Sequence, residues 1–152
     1  FAPGKRQKNS PGKRFLCALN IFTGELKTWH YNPNISMIIK YSTRVKGLAL
    51  FSRNNYKPED FVYKLQGITY DTPTKFTVET AVGVHILDPY GVYMNHSFDP
   101  TCCIKNGCIV AVKNISVGDE LTFDYNQTES HCVAPFVDAD TGQNVVGSAP
   151  KT

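Results

Sequence analysis

The chain lacks three features that would place it in a specialised class of protein. No apolar run in its 152 residues approaches the ~20 residues of a membrane helix, so we expect a soluble protein with no membrane partner. Its five cysteines are odd in number and show no paired spacing, which argues against a disulfide-stapled secreted domain. No long window keeps apolar residues at helical spacing, which leaves a mostly β fold.

The chain also has little charge of one sign. Lys and Arg outnumber Asp and Glu by 16 to 13, a surplus too small to indicate a nucleic-acid-binding protein. Five of the basic residues lie within residues 1–14, a segment with no acidic residue, two Pro and two Gly. We expect this segment to be a mobile basic arm, either a solvated leader or a contact for nucleic acid or an acidic partner.

Unpaired thiols are typical of reducing compartments, so we expect an intracellular protein, in the nucleus or the cytoplasm. A secreted glycoprotein is the alternative, because the chain has four Asn-x-Ser/Thr triplets, at Asn34, Asn95, Asn114 and Asn126. Because the chain begins with Phe rather than Met, we also expect that an upstream segment was removed, which leaves room for a targeting signal.

What the chain does have is a succession of short β segments separated by turn residues. The first two, starting at Phe15, flank a Thr-Gly-Glu turn at 23–25 and predict a hairpin. Asn106-Gly107 lies between two apolar runs and predicts a type I′ hairpin. In the segment R-V-K-G-L-A-L-F-S we expect Gly47 to interrupt a strand and to mark a bend or a close backbone approach. With 41% apolar residues the chain can form one core without staples.

Three segments carry the polar residues that stand out most. They are K-G-L-A-L-F-S at 46–52, Y-M-N-H-S-F-D-P at 93–100 and G-D-E-L-T-F-D-Y at 118–125. Each alone is a weak signal, because Asn-His-Ser is consistent with an Asx turn and Gly-Asp-Glu with a turn before an ordinary strand. A histidine in a β segment is likewise most often structural. The three segments in this order are much more specific.

Together they resemble the signature segments of the SET-domain protein lysine methyltransferases. The resemblance implies a mostly β, compact SET-like fold of several small sheets of short strands, with a C-terminal pseudoknot. Composition and β pattern predict a basic arm (1–14), an N-terminal β extension (15–34) and a C-terminal hairpin and tail (130–152), and the resemblance adds a SET-like catalytic domain (35–129). It implies S-adenosylmethionine as the cofactor and, as substrate, a protein that presents a lysine, such as a histone or another basic protein.

The resemblance assigns cofactor contact to Lys46, Gly47, Leu48, Ala49, Asn95 and His96, and we expect Phe136 to contribute as well. It assigns the methyl-transfer site to Tyr125, which would orient the amine, and to Phe123, which would form a channel wall. Alternate residues of a strand face the same side, so we expect Phe123 and Tyr125 to point into the channel from one strand. The position of Phe123 resembles a product-specificity switch in the family, and phenylalanine there predicts di- or trimethylated product.

The chemistry explains why such residues are needed. Methyl transfer from a sulfonium releases a neutral thioether, which is a good leaving group. The enzyme therefore has to align the amine with the methyl group, and needs neither a metal nor a covalent intermediate. A free lysine has a pKa near ~10.4, so deprotonating it near neutral pH costs roughly 4 kcal/mol. Aromatic walls desolvate the ammonium and lower that cost, while one or two hydroxyls orient the amine.

The chain departs from the family pattern where many members hold a structural zinc on four cysteines. At those positions it has Phe98, Asp138, Asp140 and Val145. We therefore expect no metal, and we expect a hairpin with a D-T-G turn to cover the cofactor through Phe136 instead. The alternative is a replacement zinc site, although adjacent cysteines chelate one ion poorly; its ligands would be Cys102, Cys103, Cys108 and Cys132.

The chain between the first two signature segments is shorter than in many family members, which leaves little sequence to select a peptide. We expect either a loosely recognised substrate or a groove completed by a homodimer or another partner. A catalytically silent binding module with the same fold and a SET-like enzyme acting on a small molecule remain the alternatives. Intact Tyr125 favours an enzyme, whereas Ala49, Val92 and Thr101 depart from the family pattern.

Overall fold

The chain folds into small sheets of short strands. The computed structural model describes the backbone of residues 15–19 and 26–30, and residues 35–147 with their side chains. The strands are, in order, β1 (Phe15–Leu19), β2 (Leu26–His30), β3 (Met37–Ser42), β4 (Gly47–Ser52), β5 (Phe61–Lys64), β6 (Ile68–Tyr70), β7 (Val78–Ala81), β8 (Val84–Leu87), β9 (Asn95–His96), β10 (Cys102–Lys105), β11 (Cys108–Ala111), β12 (Thr122–Phe123), β13 (Phe136–Val137) and β14 (Asn144–Val145).

Helix is scarce in this part of the chain. A 3-10 turn spans Gly91–Tyr93, and the short helix α1 spans Tyr125–Thr128. Within the described ranges no helix has the length and apolar character needed to cross a membrane. The antiparallel sheets are β1–β2, β3–β4, β10–β11–β5, β6–β8–β7 and β13–β14, and β9 pairs with β12 in parallel. The predicted mostly β, SET-like fold of small sheets is thus confirmed.

The hairpins predicted from turn residues are present. β1 and β2 pair from Phe15 with His30 to Leu19 with Leu26, while the turn between them and the basic arm 1–14 lie outside the described residues. β10 and β11 are joined by Asn106 and Gly107, whose φ angles of 51° and 74° are those of a type I′ turn. The D-T-G turn also joins β13 to β14 as expected.

Gly47 does not interrupt a strand, so that prediction is wrong. Residues 43–46 form the turn between β3 and β4, and Gly47 is the first residue of β4, paired with Ser42. The left-handed backbone of this turn is at Lys46, with φ of 52°. The apolar run at residues 48–51 begins only after Gly47, so the glycine lies at the boundary between the turn and the strand.

The third signature segment is hydrogen-bonded to two separate parts of the chain. The Gly118 N–H donates to the Ser52 carbonyl at 2.8 Å, and the Leu121 N–H donates to the Leu50 carbonyl at 2.7 Å, so residues 118–121 lie along β4. At the next residue, Thr122, the chain enters β12, which pairs with β9. These two sets of backbone bonds place the third segment between the first and the second.

The core is centred on the same segments. Its largest fully buried side chains include Tyr125, Phe123, Met37, Leu50 and Met94. Burying a side chain of this size contributes roughly 1.5–3 kcal/mol to the free energy of folding, so the signature segments supply much of the fold's own stability. Most of the residues assigned to the site are therefore also part of the buried core, whereas Lys46 is exposed and Phe136 is partly buried.

A buried carboxylate fixes the turn that leads into β9. Asp88 Oδ1 accepts the N–H groups of Tyr90 and Gly91 at 2.7 and 2.6 Å, which holds the start of the 3-10 turn. Its Oδ2 accepts the Gln66 N–H at 2.7 Å and the Tyr63 hydroxyl at 2.9 Å. Burial raises the pKa of Asp88, and these four hydrogen bonds act in the opposite direction. The turn that precedes Met94 is thereby tied to the β5–β6 connection.

Candidate active site

The three signature segments meet at one place. Asn95 pairs with Thr122, and His96 with Phe123, in the parallel pair of β9 and β12. The side-chain amide of Asn95 donates from Nδ2 to the carbonyl of Leu48 at 3.1 Å, which ties the second segment to the first. The three segments are therefore in contact, and the structure brings together Leu48, Asn95, His96 and Phe123.

Asn95 is fully buried, and only one end of its side chain is satisfied by the protein. The bond from Nδ2 to a carbonyl fixes the amide orientation, because only the NH₂ end donates. Oδ1 has no hydrogen-bond partner among the described residues. A buried acceptor without a donor costs about 1–3 kcal/mol, so the atom marks a position where a ligand donor would be favoured.

His96 presents the complementary group. Its Nδ1 accepts the Tyr125 N–H at 3.1 Å, so the neutral ring carries its proton on Nε2. Burial lowers the pKa of His96 below its ordinary value, although Asp124, 3.8 Å from Nδ1, acts in the opposite direction. The ring is therefore neutral near pH 7. Nε2 is buried and has no acceptor within the described part of the chain, so it is a donor available to a ligand.

Aromatic rings surround His96. The centroid of its ring lies 4.3 Å from that of Phe98, 5.3 Å from that of Tyr125 and 6.1 Å from that of Phe136, each with edge-to-face geometry. Phe136 is also 6.2 Å from Tyr125, and Phe123 is 4.6 Å from Tyr125. Such walls exclude water and make the surroundings of any bound group weakly polar.

Tyr125 is fully buried, and its hydroxyl donates to the Met94 carbonyl at 2.6 Å. Because that bond uses the only hydroxyl proton, the oxygen can act toward a third group only as an acceptor. Met94 therefore aims the hydroxyl, and the 3-10 turn held by Asp88 in turn precedes Met94.

The prediction that Tyr125 lies in a strand is wrong. β12 ends at Phe123, and Tyr125 is the first residue of α1. Asp124 is the N-cap, and its side chain accepts the Asn126 N–H at 2.9 Å, which ends the strand and starts the helix. The rings of Phe123 and Tyr125 nevertheless lie side by side, because the chain bends at the cap rather than because a strand alternates.

The first segment divides into an exposed and a buried half. Lys46 is exposed in the turn before β4, whereas Gly47, Leu48 and Ala49 are buried. The structure brings Leu48 into contact with Asn95 through its backbone. Of the four predicted cofactor residues in this segment, Leu48 is thus the one joined to the second segment by a described hydrogen bond.

The positions that the resemblance aligns with zinc ligands have other partners. Phe98 packs on His96, and Val145 is fully buried in the core. Asp138 accepts the N–H and the hydroxyl of Thr141 at 2.9 and 2.7 Å, which shapes the turn of the β13–β14 hairpin. Asp140 forms an ion pair with Arg44 at 3.1 Å.

The cysteines proposed as an alternative zinc site are poorly arranged for it. Cys102 and Cys103 are consecutive in β10, so their side chains point to opposite faces, with Cys102 buried and Cys103 partly exposed. Burial raises the pKa of Cys102 to about 12 and that of Cys132 to about 11, which disfavours the thiolate form that binds zinc. No cluster of three or more metal-ligating side chains occurs within the residues described.

Sequence reasoning missed Arg44. Its guanidinium makes two hydrogen bonds to Glu120, from Nε at 3.1 Å and from the second terminal nitrogen at 2.6 Å, and it reaches Asp140 and the His96 carbonyl. Burial of Arg44 would lower its pKa, but the hydrogen bonds and charges of Glu120 and Asp140 raise it above the ordinary value. Its proximity to Lys46 in the sequence was the available signal, but its partners lie 76 and 96 residues away.

A model of the SET domain matches residues 36–126, which is more than half of the chain. The chain belongs to the SET-domain family. Members of this family are methyltransferases, so methyl transfer is the general activity that membership supports for this SET domain. The match includes all three signature segments and both sides of the β9–β12 pair.

Among solved structures, this SET domain is similar to a Plasmodium falciparum protein described as a candidate histone methyltransferase. The two are 21% identical with a TM-score of 0.49, and the similarity covers 62% of this chain and 96% of the other. No curated protein sequence shows significant similarity to the chain.

Proposed function

We propose that this SET domain is an S-adenosylmethionine-dependent protein lysine N-methyltransferase. The observation that carries the proposal is the pair of buried polar atoms, Asn95 Oδ1 and His96 Nε2, on adjacent residues within an aromatic enclosure. Neither atom has a partner among the described residues. One is an acceptor and the other a donor, so together they suit a ligand that has both kinds of group.

The residues present fit S-adenosylmethionine. Its amino acid part offers an ammonium donor for Asn95 Oδ1, and its carboxylate and adenine nitrogens are acceptors of the kind that His96 Nε2 needs. The remaining cofactor residues we propose are the segment Lys46–Ala49 and Phe136, which flank the pair. When bound, this cofactor would supply a methyl group bonded to a positively charged sulfur, and the neutral thioether that remains after transfer is a good leaving group.

Tyr125 would orient the amine. Its hydroxyl proton is held by the Met94 carbonyl, so its oxygen accepts a hydrogen bond from the amine N–H and points the nitrogen lone pair in one direction. Fixing the direction of the nitrogen lone pair holds the amine in a near-attack geometry, which lowers the activation barrier for methyl transfer without a covalent intermediate. The buried position of Tyr125 keeps water from competing for the same oxygen.

Phe123 and its aromatic neighbours would favour the neutral amine. The rings of Phe123 and Tyr125 pack against each other, with their centroids 4.6 Å apart. A lysine ammonium that lies against this pair loses water, and desolvation penalises the charged form, which lowers the lysine pKa toward neutral. A hydrocarbon side chain with a single terminal nitrogen suits a narrow aromatic site. A lysine in a protein such as a histone or another basic protein is the substrate we propose, inside the cell in the nucleus or cytoplasm.

The test is transfer of a labelled methyl group. The full chain is incubated with methyl-labelled S-adenosylmethionine and histones or other lysine-rich proteins, and products are analysed by intact mass and peptide mapping. We expect label on lysine nitrogen, and loss of label with Tyr125→Phe. Cofactor binding without transfer to any protein or small molecule would favour a silent module, and label found only on small amines would favour a small-molecule enzyme.

A further inference from the structure

The C-terminal hairpin is attached to the rest of the protein at its base and at its tip. At the base, Asn126 Nδ2 donates to the Asn144 carbonyl at 3.1 Å, and Asn126 Oδ1 accepts the N–H groups of Val146 and Gly147 at 3.0 Å. At the tip, Asp140 forms its ion pair with Arg44. The base is thus fixed to α1, and the tip is held by a charge interaction.

The same guanidinium also binds the centre of the candidate site. Arg44 makes a two-point contact with Glu120, which lies two residues before β12. The Ser42 hydroxyl donates to the same carboxylate at 3.1 Å. The second terminal nitrogen of Arg44 lies 3.5 Å from the His96 carbonyl. A two-point guanidinium–carboxylate contact fixes the orientation of the arginine. The remaining terminal nitrogen of Arg44 is thereby held in place for its contact with Asp140.

We propose that Arg44 is a positioning residue that clamps the hairpin tip over the cofactor site and so determines how tightly the cofactor is held. This inference rests on the function proposed above. β13 and β14 have two residues each, too few to fix a hairpin on their own. Phe136, which packs against His96 and Tyr125 from this hairpin, is paired with the buried Val145, and the attachments at the base and the tip hold the hairpin on either side of this pair.

The clamp combines a protected contact with an exposed one. The side chain of Glu120 is 13% exposed, whereas that of Asp140 is 52% exposed. Salt screens exposed ion pairs much more than buried ones. Salt or a change at Asp140 should therefore loosen the tip of the hairpin while Arg44 stays paired with Glu120, and the fold of the core remains intact.

The first experiment measures hydrogen exchange of the amides in residues 136–145 in the full chain without any ligand. Variants at the exposed position 140 form a series in which the attraction is kept (Asp140→Glu), removed (Asp140→Asn) or reversed (Asp140→Lys). We expect exchange close to the wild-type rate for Asp140→Glu. Exchange should be about threefold faster for Asp140→Asn and about tenfold faster for Asp140→Lys. The control is Glu59→Gln, which removes a carboxylate from an exposed ion pair with Lys105. Equal exchange across the series would overturn the clamp.

The second experiment measures the dissociation constant of S-adenosylmethionine by calorimetry in low and in high salt. We expect Asp140→Asn to weaken binding about threefold in low salt, to show less salt dependence than wild type, and to leave kcat at saturating cofactor unchanged. Faster exchange with unchanged affinity would overturn the positioning role. If exchange responds but wild-type protein binds no cofactor, the clamp stands as part of the fold, while the proposed function and the positioning role both fail.

Discussion

The β9–β12 centre and the C-terminal hairpin both line the candidate site, but they are built in different ways. In the centre, Asn95, His96 and Phe123 are almost completely buried and are held by paired backbones. The hairpin has two-residue strands and is attached through Asn126, Arg44 and one buried side chain, Val145. The difference indicates that the centre is rigid because it is part of the core, whereas the hairpin is held at a few points that single substitutions can release.

The same comparison explains how the hairpin stays in place without the cysteine positions of related proteins. A tetrahedral zinc would make four strong bonds, three to this segment and one at the position of Phe98. Here Val145 contributes buried apolar area, Asp138 shapes the turn and Asp140 joins an ion pair. We therefore expect substitutions in the centre to affect chemistry most strongly, and changes around the hairpin to have graded effects.

The largest effect is expected at Tyr125. Tyr125→Phe removes the hydroxyl that would orient the amine, an interaction felt mainly in the transition state. We expect kcat to fall roughly 10² to 10³-fold, equivalent to about 3–4 kcal/mol, with cofactor affinity nearly unchanged. Steady-state kinetics with a protein substrate and calorimetry with cofactor measure the two quantities. Equal activity in the variant would show that the buried centre does not orient the amine through this residue.

The next effect concerns the number of methyl groups added. Phe123 offers no hydroxyl to hold a water beside the amine, so a second methyl group can take that volume. We expect di- or trimethyllysine from the native protein, and mainly monomethyllysine from Phe123→Tyr with the first transfer little slowed. Mass spectrometry after long incubation with excess cofactor distinguishes them. Monomethyllysine alone from the native protein would show that another aromatic side chain fills the space.

A smaller effect is expected from the burial of His96. Its folded-state pKa is lowered below the ordinary value of 6.5, so below about pH 6.5 the unfolded chain binds more protons than the folded one. The free energy of unfolding should therefore fall as the pH falls, by at most about 1.4 kcal/mol per pH unit from this residue. Denaturant unfolding of wild type and His96→Asn measures it. Parallel pH curves for the two proteins would contradict the account.

The smallest effect is expected from metal removal. Because the positions aligned with zinc ligands carry Phe98, Asp138, Asp140 and Val145, a chelator should leave the melting temperature unchanged. Thermal unfolding with and without chelator measures this, with elemental analysis as the control. One equivalent of zinc in chelator-washed protein would show that the hairpin is held by a metal after all.

The centre of the site could be predicted because its residues are specified locally. Asn95, His96 and the G-D-E-L-T-F-D-Y segment are recognisable in the sequence, and the pairing of the two segments follows from the fold they imply. The bend at Asp124 could also have been found, because Asp followed by Tyr-Asn-Gln-Thr is compatible with an N-cap. The apolar alternation before it favoured a longer strand, and the capping hydrogen bond decided against it.

The attachment of the hairpin could not be predicted from the sequence. The ion pair between Arg44 and Asp140 joins residues 96 positions apart. Arg44 lies in no recognisable motif, and Asp140 is recognisable only as a turn residue at a position aligned with a zinc ligand. The fold determines which charged surface residues lie close enough to pair. Their spacing in the sequence does not predict these pairs. Glu120 is similar: it lies in a recognisable motif, but its pairing with Arg44 could not be predicted from the sequence.

The central claim is that the buried Asn95–His96 pair binds the cofactor, and calorimetry with S-adenosylmethionine tests it most directly. We expect saturable binding with one site per chain in wild type, and no measurable binding in Asn95→Ala, because the variant loses both the acceptor Oδ1 and the bond to the Leu48 carbonyl. Circular dichroism of both proteins is the folding control. Folded wild-type protein that gives no binding heat with excess cofactor, or unchanged affinity in a folded Asn95→Ala variant, would contradict the claim.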